Sequence, residues 1–135
     1  MRKNSVAALA IFMGAAMLAS PNARSQDERR PQQLPRATEI PGVPGRLLIV
    51  ARTTYEPGAR VRKHYHTSEL TFYILEGTMM CQEEGKEAVT LKAGDFLLIK
   101  PGTIHTHWNA STTAPLVFLE HVIVDQDQRS AVFME

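Results

Sequence analysis

Two segments of this 135-residue chain carry histidines in alternating positions. The first contains His64 and His66, and the second contains His105 and His107. Because alternate side chains of a strand leave the same face, the members of each pair point the same way, about 7 Å apart along the backbone. Converging neutral imidazoles are the donors that bind a divalent transition metal. The alternative for either pair alone is two histidines on a solvated strand face.

Length and charge limit the function classes. The chain has room for one small domain. Its formal net charge of +1 argues against a nucleic-acid partner, which would require a basic surface. The expected partner is instead a small-molecule ligand.

Residues 1–25 have the order of a secretory signal peptide. Arg2 and Lys3 precede an apolar run from Val6 to Ala19, and small residues follow. The run is short for a membrane span, although an uncleaved N-terminal anchor is the alternative. We therefore expect an exported protein, periplasmic or extracellular, that has no membrane association after cleavage.

The remaining chain divides into an arm and a domain. Residues 26–44 are polar and rich in proline, which is typical of a linker or an extended N-terminal arm. Residues 45–135 alternate short apolar runs with glycine and proline turns and show no helical period. This pattern predicts a small all-β antiparallel sandwich or barrel. The single cysteine, Cys81, excludes an internal disulfide.

The histidine segments resemble the paired motifs of the cupin superfamily, whose fold is a jelly-roll or double-stranded β-helix barrel. The first motif has glycine, five residues, His-x-His, a glutamate and a closing glycine. The second has glycine, five residues, Pro-x-Gly, then histidine and asparagine. The matching positions are Gly58, His64, His66 and Gly77 in the first motif and Gly94, Gly102, His105 and Asn109 in the second.

The sequence departs from this pattern in two places. The position of the metal-binding glutamate holds Leu70, and Glu69 lies one residue earlier. A shift of one residue sends a strand side chain to the opposite face, so Glu69 points outward unless a bulge turns it inward. If it turns inward, Glu69 is the candidate catalytic acid or base, with His107 second. Lys100 replaces the proline of the second motif, which affects a turn.

The resemblance implies a metal site formed by His64, His66 and His105. Three imidazoles suit iron, manganese, nickel, copper or zinc, with open positions for water or substrate. His107 is a candidate fourth ligand or a support for the ligands, or else a partly exposed strand residue. Asn109 is expected to fix the turn after its strand, or to support the site.

Three functions follow from such a site. The leading hypothesis is a dioxygenase-type oxidoreductase acting on a small chelating substrate. A non-catalytic module that binds a small ligand or the metal is the alternative, and a metal-dependent isomerase or lyase is the third. Exposed strand edges invite pairing, and small cupins are commonly dimers, so we also expect a homodimer. The candidate contacts are residues 46–54 and 116–124.

Overall fold

The computed structural model describes residues 32–135, which form ten β-strands and no helix. The expected signal peptide lies outside the described residues. The strands are β1 (Gln32–Glu39), β2 (Arg46–Tyr55), β3 (His64–Tyr65), β4 (Leu70–Glu76), β5 (Thr78–Glu83), β6 (Val89–Lys92), β7 (Phe96–Ile99), β8 (His105–Asn109), β9 (Leu116–Asp125) and β10 (Val132–Phe133).

The strands form two five-stranded antiparallel sheets. The first has the order β1-β2-β9-β4-β7, and the second has the order β10-β3-β8-β5-β6. Both orders interleave strands that are distant in the chain, as a jelly roll requires. The prediction of an all-β antiparallel jelly-roll barrel is confirmed.

The core lies between the two sheets. Phe72 and Phe118 of the first sheet and Met79 of the second are completely buried in one apolar cluster. Alternate residues of β4 and β9 supply the inward row, because a strand presents every second side chain to the same face. Each fully buried side chain of this size stabilises the fold by roughly 1.5–3 kcal/mol. This packed interior supports the strands that carry the histidines.

The segment 32–39, within the expected arm, is an edge strand of the barrel. β1 pairs along its whole length with β2, from Gln32 opposite Thr54 to Glu39 opposite Leu47. Leu34 is 51% exposed, so the strand is held by its backbone ladder rather than by burial of that side chain. Pro35 is compatible with this position because an edge strand leaves one row of backbone groups unpaired.

A tight connection at Gly77 joins β4 to β5. Gly77 has a φ of +83°, in the left-handed region that glycine adopts without strain. A Cβ added at this position would lie 2.6 Å from the carbonyl oxygen of Pro115. The close approach of two backbone segments therefore requires glycine here.

The described residues contain no helix long and apolar enough to cross a membrane.

Candidate metal centre and its cavity

Three histidines from two distant parts of the chain meet at one point inside the barrel. His64 on β3 lies directly opposite His105 on β8, and their ring centroids are 4.4 Å apart. The ring of His66 lies 5.0 Å from that of His64 and 5.5 Å from that of His105. One ring nitrogen from each histidine lies within 4.8 Å of the other two. The structure therefore brings the three predicted ligands together, and all three are buried.

The hydrogen bonds of the three rings determine which nitrogen is free. Each Nδ1 lies at hydrogen-bond distance from a backbone carbonyl: Arg62 for His64 at 2.8 Å, Ser130 for His66 at 2.6 Å, and Thr103 for His105 at 2.9 Å. A carbonyl only accepts, so each Nδ1 carries the proton and each Nε2 keeps its lone pair. This arrangement is the usual one for metal-binding histidines.

The free nitrogens fit a metal ion. Nε2 of His66 and Nε2 of His105 are buried and have no hydrogen-bond partner among the described residues. A buried polar atom without a partner is costly, and a metal ion would satisfy both nitrogens at once. The three-nitrogen donor set suits iron, manganese, nickel, copper or zinc and does not select among them.

Burial keeps the imidazoles neutral. It lowers the pKa of His66 to about 4, with smaller contributions from the neighbouring His64 and His105. Burial also lowers the pKa of His64 and of His105, although the carbonyls of Arg62 and Thr103 partly oppose it. Because only neutral imidazole coordinates a metal, the site is prepared for binding at neutral pH.

His107 lies beside the cluster without joining it. It is completely buried rather than partly exposed, and it contributes no nitrogen to the group of three. Its ring stacks on Tyr55 at 5.5 Å and lies 5.6 Å from the ring of His64. Burial lowers its pKa well below the ordinary value, and its Nδ1 has no partner among the described residues. His107 therefore separates the aromatic core from the ligand cluster.

Asn109 organises the turn after β8. Its side-chain nitrogen donates to the backbone carbonyls of Tyr55, Glu56 and Ala114, and its oxygen accepts from the backbone of Ser111 at 2.9 Å. These bonds join the turn to the end of β2. The hydrogen bonds of the Asn109 side chain therefore go to backbone groups around the turn rather than to the histidines.

The structure corrects the expectation that Glu69 could turn inward. Glu69 is exposed, while Leu70 is only 1% exposed and pairs regularly with Val122 on β9. The only irregularity of this ladder falls between Ile74 and Glu76, so no bulge reorients Glu69. It lines a separate surface depression together with Arg46 and His121. The position next to the ligands is therefore apolar.

A cavity of about 680 Å³ opens beside the histidines. His64, His66 and His107 line it, and most of the other lining side chains are apolar. Its volume falls within the range of small-molecule sites. The segment 129–133 closes part of the cavity, and the ring of Phe133 lies 5.2 Å from that of His64.

Two polar groups of this cavity were missed in the sequence analysis. Glu120 and Tyr55 both line it. Burial raises the pKa of Glu120 to about 7, and burial next to Glu120 also raises the pKa of Tyr55. The signal was present, since Glu120 interrupts the inward row of β9 between Phe118 and Val122. A carboxylate in an apolar alternating row is unusual unless the row lines a cavity.

A family model described as a cupin domain matches residues 51–122, which contain both histidine segments. The chain belongs to the cupin family. This cupin is 32% identical over 91 residues to an (R)-mandelonitrile lyase of Granulicella tundricola, covering 66% of each chain. It is 38% identical over 60 residues to a quercetin 2,3-dioxygenase of Bacillus subtilis, covering 44% of this chain and 18% of the dioxygenase.

A solved structure agrees with the fold of this cupin. A cupin-like protein from Thermotoga maritima superposes with a TM-score of 0.60 at 30% sequence identity, covering 77% of this chain and 74% of that protein. The chain spans about two thirds of the lyase and less than a fifth of the dioxygenase.

The metal-free cupin is expected to lose stability as the pH falls from 6.5 towards 4. Well above pH 6.5, His66 is neutral in both the folded and the unfolded state. Below pH 6.5 the unfolded chain binds a proton at this residue, whereas the folded protein does so only near pH 4. The free energy of unfolding should fall by on the order of 3 kcal/mol through His66 alone. Urea unfolding of chelator-treated protein at several pH values measures this loss. His66→Asn should make the profile less steep, with the remaining slope due to the other buried histidines, and an equally steep profile in that variant would contradict the assignment.

Proposed function

We propose that this cupin is a metal-dependent lyase that cleaves a small, largely apolar α-hydroxy compound. The observation that carries the proposal is the meeting of three uncommitted imidazole nitrogens, two of them from His64 and His66, which line a largely apolar cavity. A divalent cation held by His64, His66 and His105 would act as a Lewis acid and lower the pKa of a bound hydroxyl. The similarity to a mandelonitrile lyase over 66% of each chain supports this choice of reaction.

The cavity residues would hold and orient the substrate. Tyr55 and Phe133 provide aromatic surface for an aryl or alkyl group, and Val61 and Val122 extend the apolar wall. Loss of the hydroxyl proton turns the C–O bond into a carbonyl as the adjacent C–C bond breaks. The departing group leaves with the electron pair and takes up a proton, so the reaction requires no oxidant.

Dioxygenation is the second candidate. The match to a quercetin dioxygenase has the higher identity, 38%, although over a shorter stretch. A three-histidine site also leaves coordination positions open for a chelating substrate. This function requires oxygen, whereas the lyase reaction does not.

Metal-loaded protein should release benzaldehyde from mandelonitrile under nitrogen, and His66→Ala should lose this activity. A spectrophotometric assay of the aldehyde, run beside an oxygen electrode with quercetin in air, separates the two reactions. Oxygen uptake without aldehyde release would support the dioxygenase. Silence in both assays, with retained metal, would support a binding module and contradict the lyase.

We also propose that the protein is exported and works as a homodimer. The arrangement of residues 1–25 supports export. Exposed apolar side chains on the outer face of the first sheet support self-association, because a soluble monomer rarely displays such a surface. They are Tyr73, Leu75, Phe96, Leu98 and Ile123.

A further inference from the structure

The geometry points to Glu120 as the catalytic acid–base that exchanges a proton with the substrate hydroxyl. This inference rests on the proposed function, because it assigns the proton transfer of the same cavity. It replaces Glu69, which lies on the outer surface.

The position of Glu120 is fixed by the register of β9. Glu120 lies opposite Ala51 on β2 and opposite Phe72 on β4, in the middle of the first sheet. Its side chain lines the cavity that His64 and His66 also line. Among the described residues that line this cavity, it is the only carboxylate. A base must lie within reach of the proton that it removes, and a substrate that fills this shared cavity would contact both Glu120 and the histidines.

The hydrogen bonds of Glu120 leave one oxygen available. Gln33 Nε2 donates to Oε2 at 3.0 Å, and Thr53 Oγ1 donates to the same oxygen at 3.3 Å. Oε1 has no hydrogen-bond partner among the described residues. The two donors hold the carboxylate in one orientation, and Oε1 remains free to accept a proton. Gln33 reaches it from β1, so the edge strand contributes to the arrangement.

The surroundings of Glu120 allow it to change protonation state near neutral pH. Burial raises its pKa to about 7, and the bonds from Thr53 and Gln33 only partly offset that rise. The other titratable or charged groups that line the cavity are Tyr55, His64, His66, His107 and Arg129. The pKa of Tyr55 is raised and those of the three histidines are lowered, so these four groups stay neutral while Glu120 titrates.

The proton transfer balances without a further reactant. Oε1 takes the proton of the substrate hydroxyl, and the carbonyl forms as the C–C bond breaks. The departing carbon takes the bonding electrons and then the proton from Glu120. The carboxylate is regenerated, so Glu120 acts as a base and then as an acid in one turnover.

Glu120→Gln tests the assignment because it keeps the shape of the side chain and removes the proton-accepting group. We expect kcat for mandelonitrile cleavage to fall by about 100-fold to 10,000-fold, the usual contribution of an acid–base group. Metal content and thermal midpoint should stay at the level of the unaltered protein. Glu69→Gln is the matched control, since that exposed glutamate should tolerate the change without effect. Loss of metal in Glu120→Gln, or unchanged kcat, would overturn the assignment.

Two measurements test the role of Glu120 as a proton acceptor without measuring catalysis. Carbon-13 NMR of metal-free protein labelled at glutamate carboxyls should show one resonance that titrates near pH 7 and is absent from Glu120→Gln. Binding of 4-nitrophenol, followed by absorbance, should weaken at least 10-fold in Glu120→Gln and stay unchanged in Glu69→Gln. If the unaltered protein does not cleave mandelonitrile but both results hold, the lyase function fails and the role of Glu120 as proton acceptor stands. Equal binding, or no titrating resonance, overturns the role itself.

Discussion

His66→Ala is expected to abolish metal retention. The variant removes one of the three imidazole nitrogens that lie within 4.8 Å of one another. Losing a residue that merely supports a ligand typically costs 10-fold to 100-fold in metal affinity. Loss of a ligand should therefore cost more than about 100-fold. Elemental analysis of desalted protein should find one metal ion per chain in the unaltered protein and essentially none in the variant.

His121→Ala provides the control for this experiment. His121 lies on β9 but lines the outer depression beside Arg46 and Glu69 rather than the cavity. Its removal should leave the metal content unchanged. Stoichiometric metal in His66→Ala would mean that the ligands lie elsewhere, and equal losses in both variants would point to general damage to the fold.

Gly77→Ala should have the largest effect on folding. The residue would adopt a left-handed backbone, which costs a non-glycine residue about 1–2 kcal/mol. Its Cβ would also lie 2.6 Å from the Pro115 carbonyl and 3.1 Å from the Leu116 Cα. These are backbone atoms, so no side-chain rotation can relieve the contact, and overpacking adds roughly 1–3 kcal/mol. Urea unfolding should show a total loss of about 2–5 kcal/mol.

Gly85→Ala separates the two contributions. Gly85 has a similar positive φ of 75°, but an added Cβ meets nothing within 4 Å. This variant should lose only the backbone contribution of about 1–2 kcal/mol. Equal losses at the two positions would show that the contact with the 115–116 segment is unimportant.

The central part of the fold and the meeting of the three histidines were predictable from the sequence. Strand parity placed His64 and His66 on one face, and the spacing of the second motif added His105, which lies on β8, the neighbouring strand of the same sheet. The regular alternation of Leu70, Phe72 and Ile74 likewise favoured an outward Glu69, as found. The parity assignments are local, so a period of two residues was enough for them, whereas His105 was assigned from the resemblance to the cupin motifs.

The features that could not be predicted from the sequence depend on contacts between distant segments. β1 is exposed at all eight of its positions, so it shows no alternation in burial from which a strand could be predicted. The role of Ser130 depends on a backbone carbonyl, which no residue type reveals. Strand parity alone predicts that Glu120 points inward, but only the packing of the two sheets shows that it lines a cavity.

The bond from His66 Nδ1 to the Ser130 carbonyl joins residues 64 positions apart. His66 is synthesised well before Ser130. The Ser130 carbonyl can therefore fix the tautomer of the His66 ring only after residue 130 has been synthesised. The complete metal site can therefore form only after the C-terminal segment has been synthesised. If the protein is exported unfolded, the compartment in which it folds, rather than the one in which it is translated, decides which ion it acquires.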